Sequence, residues 1–323
     1  MNLGTRTAHR EGILIDAEAL GRLLAAEGLP PGGRPRAAGP AAAGTATPVP
    51  LLVLDATVAL ASPSHDGDYR AAPGAGAWAE AHIPGSLHVD LLSAFTDPTA
   101  PYHFAHPSRE AVRRELAALG ADENTTVVLY DQGSLQWAAR LWWVLRDAGV
   151  RARVLDGGLP AWSSAGRPVA TGPAPERTVR PPLGDPFPRA TADDPARPSL
   201  WIDKDGARAV GEGRVPGLLV CALSAAHFEG TTPTRYSRRG RIPGSVNLPA
   251  QDLLDTDGRL DVDAIRLPDR AEGPVVLYCG GGISASLAAL GLTLTGVESL
   301  VVYDGSLEEW TADPALPLLA GPA

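Results

Sequence analysis

The residues best able to do chemistry in this chain are Cys279-Gly280-Gly281-Gly282-Ile283-Ser284. The cysteine stands at the exit of an apolar, β-branched run, Val275-Val276-Leu277-Tyr278, which reads as a buried strand. Behind the loop, Ala285-Ser286-Leu287-Ala288-Ala289-Leu290 reads as a helix. Glycine lets backbone N–H groups turn toward one point, and a helix N-terminus adds positive potential there. A thiol at that focus is stabilised as thiolate, the form that attacks and carries sulfur. A cysteine inside a strand is ordinarily a small core hydrophobe, but a core position has no use for three glycines behind it. Two other uses of such a loop fail on residue type. A cysteine phosphatase places arginine six residues after its cysteine to clamp phosphate, and here Ala285 stands there. A nucleotide-phosphate loop ends in Gly-Lys-Ser/Thr, and the chain contains no Gly-Lys pair.

The elements that position this loop occur twice. The first half carries Leu51-Leu52-Val53-Leu54-Asp55, then His82-Ile83-Pro84-Gly85-Ser86, Val127-Val128-Leu129-Tyr130-Asp131, and Val154-Leu155-Asp156-Gly157-Gly158 followed by Trp162. The second carries, in the same order, Leu218-Leu219-Val220-Cys221, Arg241-Ile242-Pro243-Gly244-Ser245, Val275 to Cys279, and Val301-Val302-Tyr303-Asp304-Gly305-Ser306 followed by Trp310. Helical segments such as Arg109–Leu119 and Ala138–Leu145 lie between short apolar strands. That alternation predicts an α/β fold used in tandem, each copy a small, mostly parallel sheet flanked by helices. Ligands of such sheets sit beyond the carboxyl ends of the strands, where both Cys279 and its counterpart Asp131 fall. Aspartate cannot carry sulfur, so the first copy is expected to be non-catalytic, with Asp131 serving as a helix cap.

Composition bounds the rest. A chain of 323 residues is long for one core. The Pro/Gly/Ala-rich stretch at about 30–50 reads as an insert, and the Pro-dense 171–198 as a linker between domains at 12–170 and 199–323. A net charge of -9 argues against nucleic acid and anionic membranes as partners. No apolar run reaches the roughly 18 residues of a membrane span, and the first residues lack an apolar signal core. A cytoplasmic protein with two free thiols is expected, since two cysteines are too few for a disulfide scaffold. The histidines lack metal-ligand spacing, so neither a metal nor a cofactor is expected. Trp142, Trp143, Trp162 and Trp310 read as core anchors.

Together the two Ile-Pro-Gly motifs, Ala139-Arg140-Leu141-Trp142-Trp143, Leu155-Asp156-Gly157-Gly158 and Tyr303-Asp304-Gly305-Ser306 with Trp310 resemble the tandem-domain rhodanese family of sulfurtransferases, from about Gly12 to Leu319. The resemblance implies two rhodanese-like domains, the second bearing a persulfide-forming cysteine at Cys279. The loop is similar to that of the 3-mercaptopyruvate sulfurtransferase type, which runs Cys-Gly-Ser/Thr-Gly-Val-Thr. The thiosulfate type carries arginine and lysine where Gly280 and Gly281 stand. Thiosulfate is a dianion and gains from such cations, whereas a glycine loop offers N–H donors alone.

The resemblance also implies substrate residues. His82 matches a histidine that works with an acid of the first domain and a loop hydroxyl, the last replaced here by Gly281. Leu223 and His227 stand where the family has basic residues, and Arg235 falls near the family's other substrate arginine. Arg235, Arg238, Arg239 and Arg241 form a candidate anion-binding rim. The candidate catalytic set is therefore Cys279, Gly280, Gly281, Gly282, Ile283 and Ser284, and the substrate-binding set Arg235, His227 and His82. The implied activity moves sulfane sulfur from 3-mercaptopyruvate or thiosulfate, through a Cys279 persulfide, to a thiol or cyanide. Leu223 and His227 motivate two alternatives: delivery to a sulfur-carrier protein, or a catalytically weak binding scaffold.

Overall fold

The computed structural model describes residues 12–27, 51–173, 187, 197–267 and 272–322. The 30–50 insert and most of the 171–198 linker lie outside the described residues. The first half runs β1 (Leu14–Ile15), α1 (Ala17–Ala26), β2 (Leu51–Asp55), β3 (Val58–Leu60), β4 (Ala71–Pro73), α2 (Ala75–Glu80), β5 (Leu87–His88), α3 (Arg109–Ala118), β6 (Thr126–Tyr130), α4 (Gln136–Asp147), β7 (Ala152–Leu155) and α5 (Gly158–Ser164). The second runs β8 (Trp201–Ile202), α6 (Lys204–Gly211), β9 (Leu218–Cys221), α7 (Ala225–Phe228), β10 (Val246–Asn247), a 3₁₀ turn (Ala250–Leu253), β11 (Val275–Tyr278), α8 (Ile283–Leu294), β12 (Leu300–Tyr303) and α9 (Ser306–Ala312).

Each half builds one five-stranded sheet, in the orders β1-β7-β6-β2-β5 and β8-β12-β11-β9-β10. All pairings within these two sheets are parallel, and the strand orders correspond one to one. The α/β tandem architecture read from the repeat is thus the architecture found. The central strands, β6 and β11, are short and apolar because both of their faces are covered. Each delivers the residue that follows it to the carboxyl end of its own sheet: Asp131 after β6, and Cys279 after β11.

The two halves share a core. Helix α8 is buried on nearly every side, from Ala285 through Leu294, as expected of a helix apolar all round. It packs against α4, which is buried from Trp137 through Leu145. One apolar cluster runs from Leu52 and Leu129 of the first half, through Trp142 and Trp143, to Leu287 and Leu290 of the second. The loops that start α4 and α8 are consequently held at the seam between the halves. The first-half segment 61–70 completes the seam. There Gly67 N–H donates to Thr234 O and Tyr236 O, both at 3.0 Å, and Asp66 takes the Thr234 N–H at 3.0 Å and pairs with Arg239 at 2.8 Å.

Candidate active site

Cys279 is 2% exposed and lies on the wall of a cavity of about 270 Å³ at that seam. The second half contributes Gly280, Gly281, Ile283, Ser284, Leu223, His227, Arg235 and Tyr236; the first contributes Leu60, Tyr69, Phe104 and Gln136. A wider cavity of about 700 Å³ lies near the starts of β6 and β7 and has no cysteine in its walls.

The loop is pinned from behind. Ser306 Oγ accepts the N–H groups of Cys279 at 3.0 Å and Gly282 at 3.2 Å. Leu307 N–H donates to Cys279 O at 3.1 Å, and Glu308 N–H to Gly280 O at 2.9 Å. With these groups spent, the N–H groups of Gly280, Gly281, Ile283 and Ser284 have no acceptor among the described residues. They remain as donors for a charge formed in the pocket. The expectation that every loop amide serves the sulfur is corrected at Gly282, whose N–H is spent on Ser306. Gly282 also caps α8, at φ 76°. A Cβ on Gly282 would lie 2.8 Å from Arg140 Nη1, so only glycine fits there. At Gly280 and Gly281 a Cβ would meet Tyr236 at 3.5 Å and Glu308 Oε2 at 3.4 Å. Those two glycines leave the loop open without being forced by its backbone.

Behind Gly282 sits a buried ionic cluster that ties the halves together. Arg140 of α4 pairs with Asp304 at 2.8 Å, donates to Phe104 O and lies over the Trp201 ring at 4.7 Å. Asp304 also accepts His106 N–H at 2.6 Å and His106 Nδ1 at 2.8 Å. Burial alone would raise the Asp304 carboxyl, but Arg140 and His106 together hold it below the usual range.

The substrate candidates divide. Arg235 lines the pocket and gives Nε and Nη2 to Ala61 O, at 3.1 and 2.7 Å. Its Nη1 is left without a protein acceptor among the described residues. His227 lines the same pocket, with Nδ1 2.8 Å from Ser224 Oγ; burial, and then the charge of Arg235, push its pKa down. His82 is not in the pocket wall. It is 3% exposed in the first half, stacked on Trp78 at 3.9 Å, with Nδ1 2.9 Å from Trp78 O and its backbone paired to Ala170. Its ring is a packing surface, so it is withdrawn from the candidate site. The wider arginine rim is corrected as well. Arg238 spends its guanidinium on Thr311 O, Asp313 O and Leu316 O, Arg239 on Asp66, and Arg241 on Phe228 O and the C-terminal carbonyls. These three staple the chain, and Arg235 is the one member of that run in the pocket wall.

Several residues beside the loop had no strong sequence signal. Glu308 binds His103 Nδ1 at 2.5 Å, and His103 stacks on Tyr69 at 3.9 Å. Burial raises the Glu308 carboxyl, opposed by His103. Tyr236 Oη is buried with no hydrogen-bond partner. Burial lifts both the Tyr69 and the Tyr236 phenols, so they stay protonated. Cys221 is fully buried, and burial pushes its thiol up to about 12.

Two copies of one parallel α/β unit, with a cysteine loop closing the central strand of the second, define a tandem-domain protein whose pocket lies between the copies. The rhodanese-like domain model matches residues 64–165 and 224–313, and the chain belongs to that family. SseB of Mycobacterium tuberculosis, provisionally named a thiosulfate sulfurtransferase, is 32% identical over 286 residues, covering 85% of this chain and 92% of that one. A probable 3-mercaptopyruvate sulfurtransferase of Pseudomonas aeruginosa is 33% identical over 286 residues, covering 84% and 93%. Among solved structures, a complex of EanB with hercynine aligns with a TM-score of 0.72 over 98% of this chain and 70% of that one. At 23% identity that likeness is one of fold.

Proposed function

We propose that the protein is a sulfurtransferase of the 3-mercaptopyruvate type, working through a persulfide on Cys279. The observation that carries this reading is a buried cysteine in a pocket with four unclaimed backbone N–H groups and one arginine. The Cys279 thiolate attacks the thiol sulfur of 3-mercaptopyruvate. The S–S bond forms, the C–S pair leaves as the enolate of pyruvate, and that carbon takes the proton released from the sulfur. With thiosulfate the same attack would release sulfite. The persulfide then yields its outer sulfur to cyanide or a small thiolate, restoring the Cys279 thiolate. Arg235 holds the donor's carboxylate while its sulfur faces Cys279, and the free N–H groups of Gly280, Gly281, Ile283 and Ser284 stabilise the sulfur anion. The depth of Cys279 favours small acceptors over the folded surface of a carrier protein. Two free thiols suit the reducing cytoplasm, where we place the protein. Among the described residues no helix is long and apolar enough to cross a membrane.

The test is incubation with 3-mercaptopyruvate and with thiosulfate, followed by intact-mass and peptide mapping. A gain of one sulfur on Cys279, faster with 3-mercaptopyruvate, is the expected result. No gain with either donor would favour the scaffold reading.

A further inference from the structure

We infer that Asp66, on the 61–70 loop of the first half, is a positioning residue for sulfur transfer: it fixes Arg235 where the donor's anionic group must be held against Cys279. The inference rests on the sulfur-transfer reading, in which Arg235 holds the donor's carboxylate, and assigns part of that binding to the half that does not carry the thiol loop.

Arg235 has no regular element to hold it. Thr234-Arg235-Tyr236 lies outside every described helix and strand, so the place of its backbone depends on the groups that satisfy it. On both sides of Arg235 those groups come from the first half. Asp66 Oδ1 accepts the Thr234 N–H at 3.0 Å, and Gly67 N–H donates to Thr234 O and Tyr236 O, both at 3.0 Å. Thr234 is 1% exposed, and its Oγ1 donates to Tyr236 O at 2.8 Å, closing the turn. Further along the same run, Arg239 Nε lies 2.8 Å from each Asp66 oxygen. The Arg235 side chain then reaches back to Ala61 O of the same first-half loop.

The 61–70 loop holds its own shape. It joins β3 to β4, whose antiparallel pairing anchors its two ends, and Ala61 N–H donates to Arg70 O at 3.1 Å. Within it, Asp68 accepts Ser64 N–H at 2.8 Å, Ser64 Oγ at 2.9 Å and Arg70 Nε at 2.7 Å. The Asp66 carboxylate instead faces the second half, where it meets Thr234 and Arg239. Burial acts to raise that carboxyl, but Arg239 and the Thr234 N–H outweigh it and hold it below the usual range, so it is ionised near neutral pH. Losing the Asp66 side chain therefore loosens the turn that carries Arg235 and leaves the bonds inside the loop in place.

A pocket with a single cation in its wall depends on where that cation stands. Arg235 is the one arginine or lysine among the described lining residues. Misplacing a binding group by about 1 Å can cost about a hundredfold. Without Asp66 the Gly67 and Ala61 contacts to the turn persist, so the displacement and its cost are smaller. The thiol itself is insulated from the change, because its loop is pinned by Ser306, Leu307 and Glu308 of the second half. The effect falls on an anion that Arg235 must hold and not on the reactivity of Cys279.

The experiment compares alkylation of Cys279 by iodoacetate, a carboxylate, with alkylation by neutral iodoacetamide, and measures kcat and KM for 3-mercaptopyruvate beside it. The two reagents share their reacting carbon and differ in charge, so the ratio of their rate constants reads anion holding at Arg235 without any sulfur transfer. Asp66→Ala should lower the iodoacetate-to-iodoacetamide ratio roughly three- to tenfold, part of the loss expected for one charged hydrogen bond. KM for 3-mercaptopyruvate should rise by about the same factor, with kcat within about twofold of the wild type, as for lost binding without lost chemistry. Asp66→Asn keeps an oxygen for the Thr234 N–H and loses the charge for Arg239; it should fall between the two, and it decides the matter if the alanine variant fails to fold. In an Arg235→Ala background the Asp66 substitution should add nothing, because it acts through that side chain. An unmoved ratio, both reagents shifting together, or a second loss of equal size on top of Arg235→Ala overturns the inference. If 3-mercaptopyruvate loads Cys279 while the ratio does not move, this inference alone falls. If the ratio falls but no donor loads Cys279, the sulfur-transfer reading falls, and Arg235 stands as an anion site held in place by Asp66.

Discussion

The loops that follow β6 and β11 occupy the same place in two sheets of the same strand order, yet one is closed and the other open. In the first half the loop is filled by its own side chain. Asp131 Oδ1 accepts the N–H groups of Gly133, Ser134 and Leu135 at 2.9–3.0 Å, and Oδ2 those of Trp137 and Ala138 at 3.0 and 3.2 Å. Five donors face that carboxyl group, the pattern an ionised carboxylate needs, while burial pushes its pKa up against their pull. It is 1% exposed and covered by Gly158, whose Cβ would strike Asp131 O at 2.6 Å. In the second half a thiol without an internal anion stands at that position, and Gly280, Gly281, Ile283 and Ser284, whose N–H groups have no acceptor among the described residues, line a cavity. One cradle spends its donors on stability; the other keeps them for a ligand. The difference comes from the residue at the strand's end and from what packs over it.

The sharpest way to break this contrast is to remove the thiol. Cys279→Ser should reduce sulfur transfer on the order of a thousandfold or more, as loss of a nucleophile does, whereas Cys221→Ala should leave persulfide formation intact by mass. In the wild type, iodoacetamide near neutral pH should label Cys279 well before Cys221, whose thiol is buried and raised to about 12. Faster labelling of Cys221 would reverse the roles of the two thiols. In the closed cradle, Asp131→Ala strands five N–H groups. Chemical denaturation should show a loss of roughly 3–5 kcal/mol, and a loss below about 1 kcal/mol would show that the cradle is not what holds α4. On the open side, Arg235→Ala should raise KM for 3-mercaptopyruvate by roughly ten- to a hundredfold while the alkylation rate of Cys279 hardly changes. An unaltered KM would make Arg235 only the tie to Ala61.

Two smaller effects sharpen the comparison. Gly280→Arg with Gly281→Lys, at positions where glycine is not forced, should raise kcat/KM for thiosulfate by about tenfold, measured as thiocyanate formed. A wild type that already prefers thiosulfate would refute the charge reading of the loop. The pH effect of His227 is the least. Its pKa in the folded protein lies below the usual value near 6.5. The unfolded chain therefore binds that proton first, and the stability His227 contributes is full above about pH 6.5 and is lost as the pH falls toward the folded pKa. Thermal melts should show a slightly steeper acid-side decline in the wild type than in His227→Gln; identical declines would mean that the imidazole does not feel its burial.

How much of the site was legible depended on the range over which each residue acts. Cys279 and its glycines were legible because a strand, a turn and a helix start are local events. Arg235 and His227 were legible through resemblance, and both line the pocket. His82 was misread because its motif marks a turn, and the direction of its ring was decided by the Trp78 face it stacks on. Arg238, Arg239 and Arg241 were drawn toward the site by proximity in sequence, but their guanidinium groups found carbonyls and Asp66 within reach. Glu308, Tyr69 and Phe104 were missed because they come from distant segments and carry no spacing of their own.

The sequence by itself determined the tandem α/β plan, the strand that ends at Cys279 and the loss of the thiol at Asp131. Period, apolar runs and glycine placement are properties of neighbouring residues, and they act before the chain has closed. Only the tertiary structure decided which polar groups remain unspent. A hydrogen bond needs its partner within about 3 Å, and the partners of Gly282 and Arg235, Ser306 and Ala61, come from distant segments that only the fold brings beside them. The pocket exists because two apolar helices bury each other at the seam, leaving one loop sealed by its own carboxylate and the other open beside a thiol.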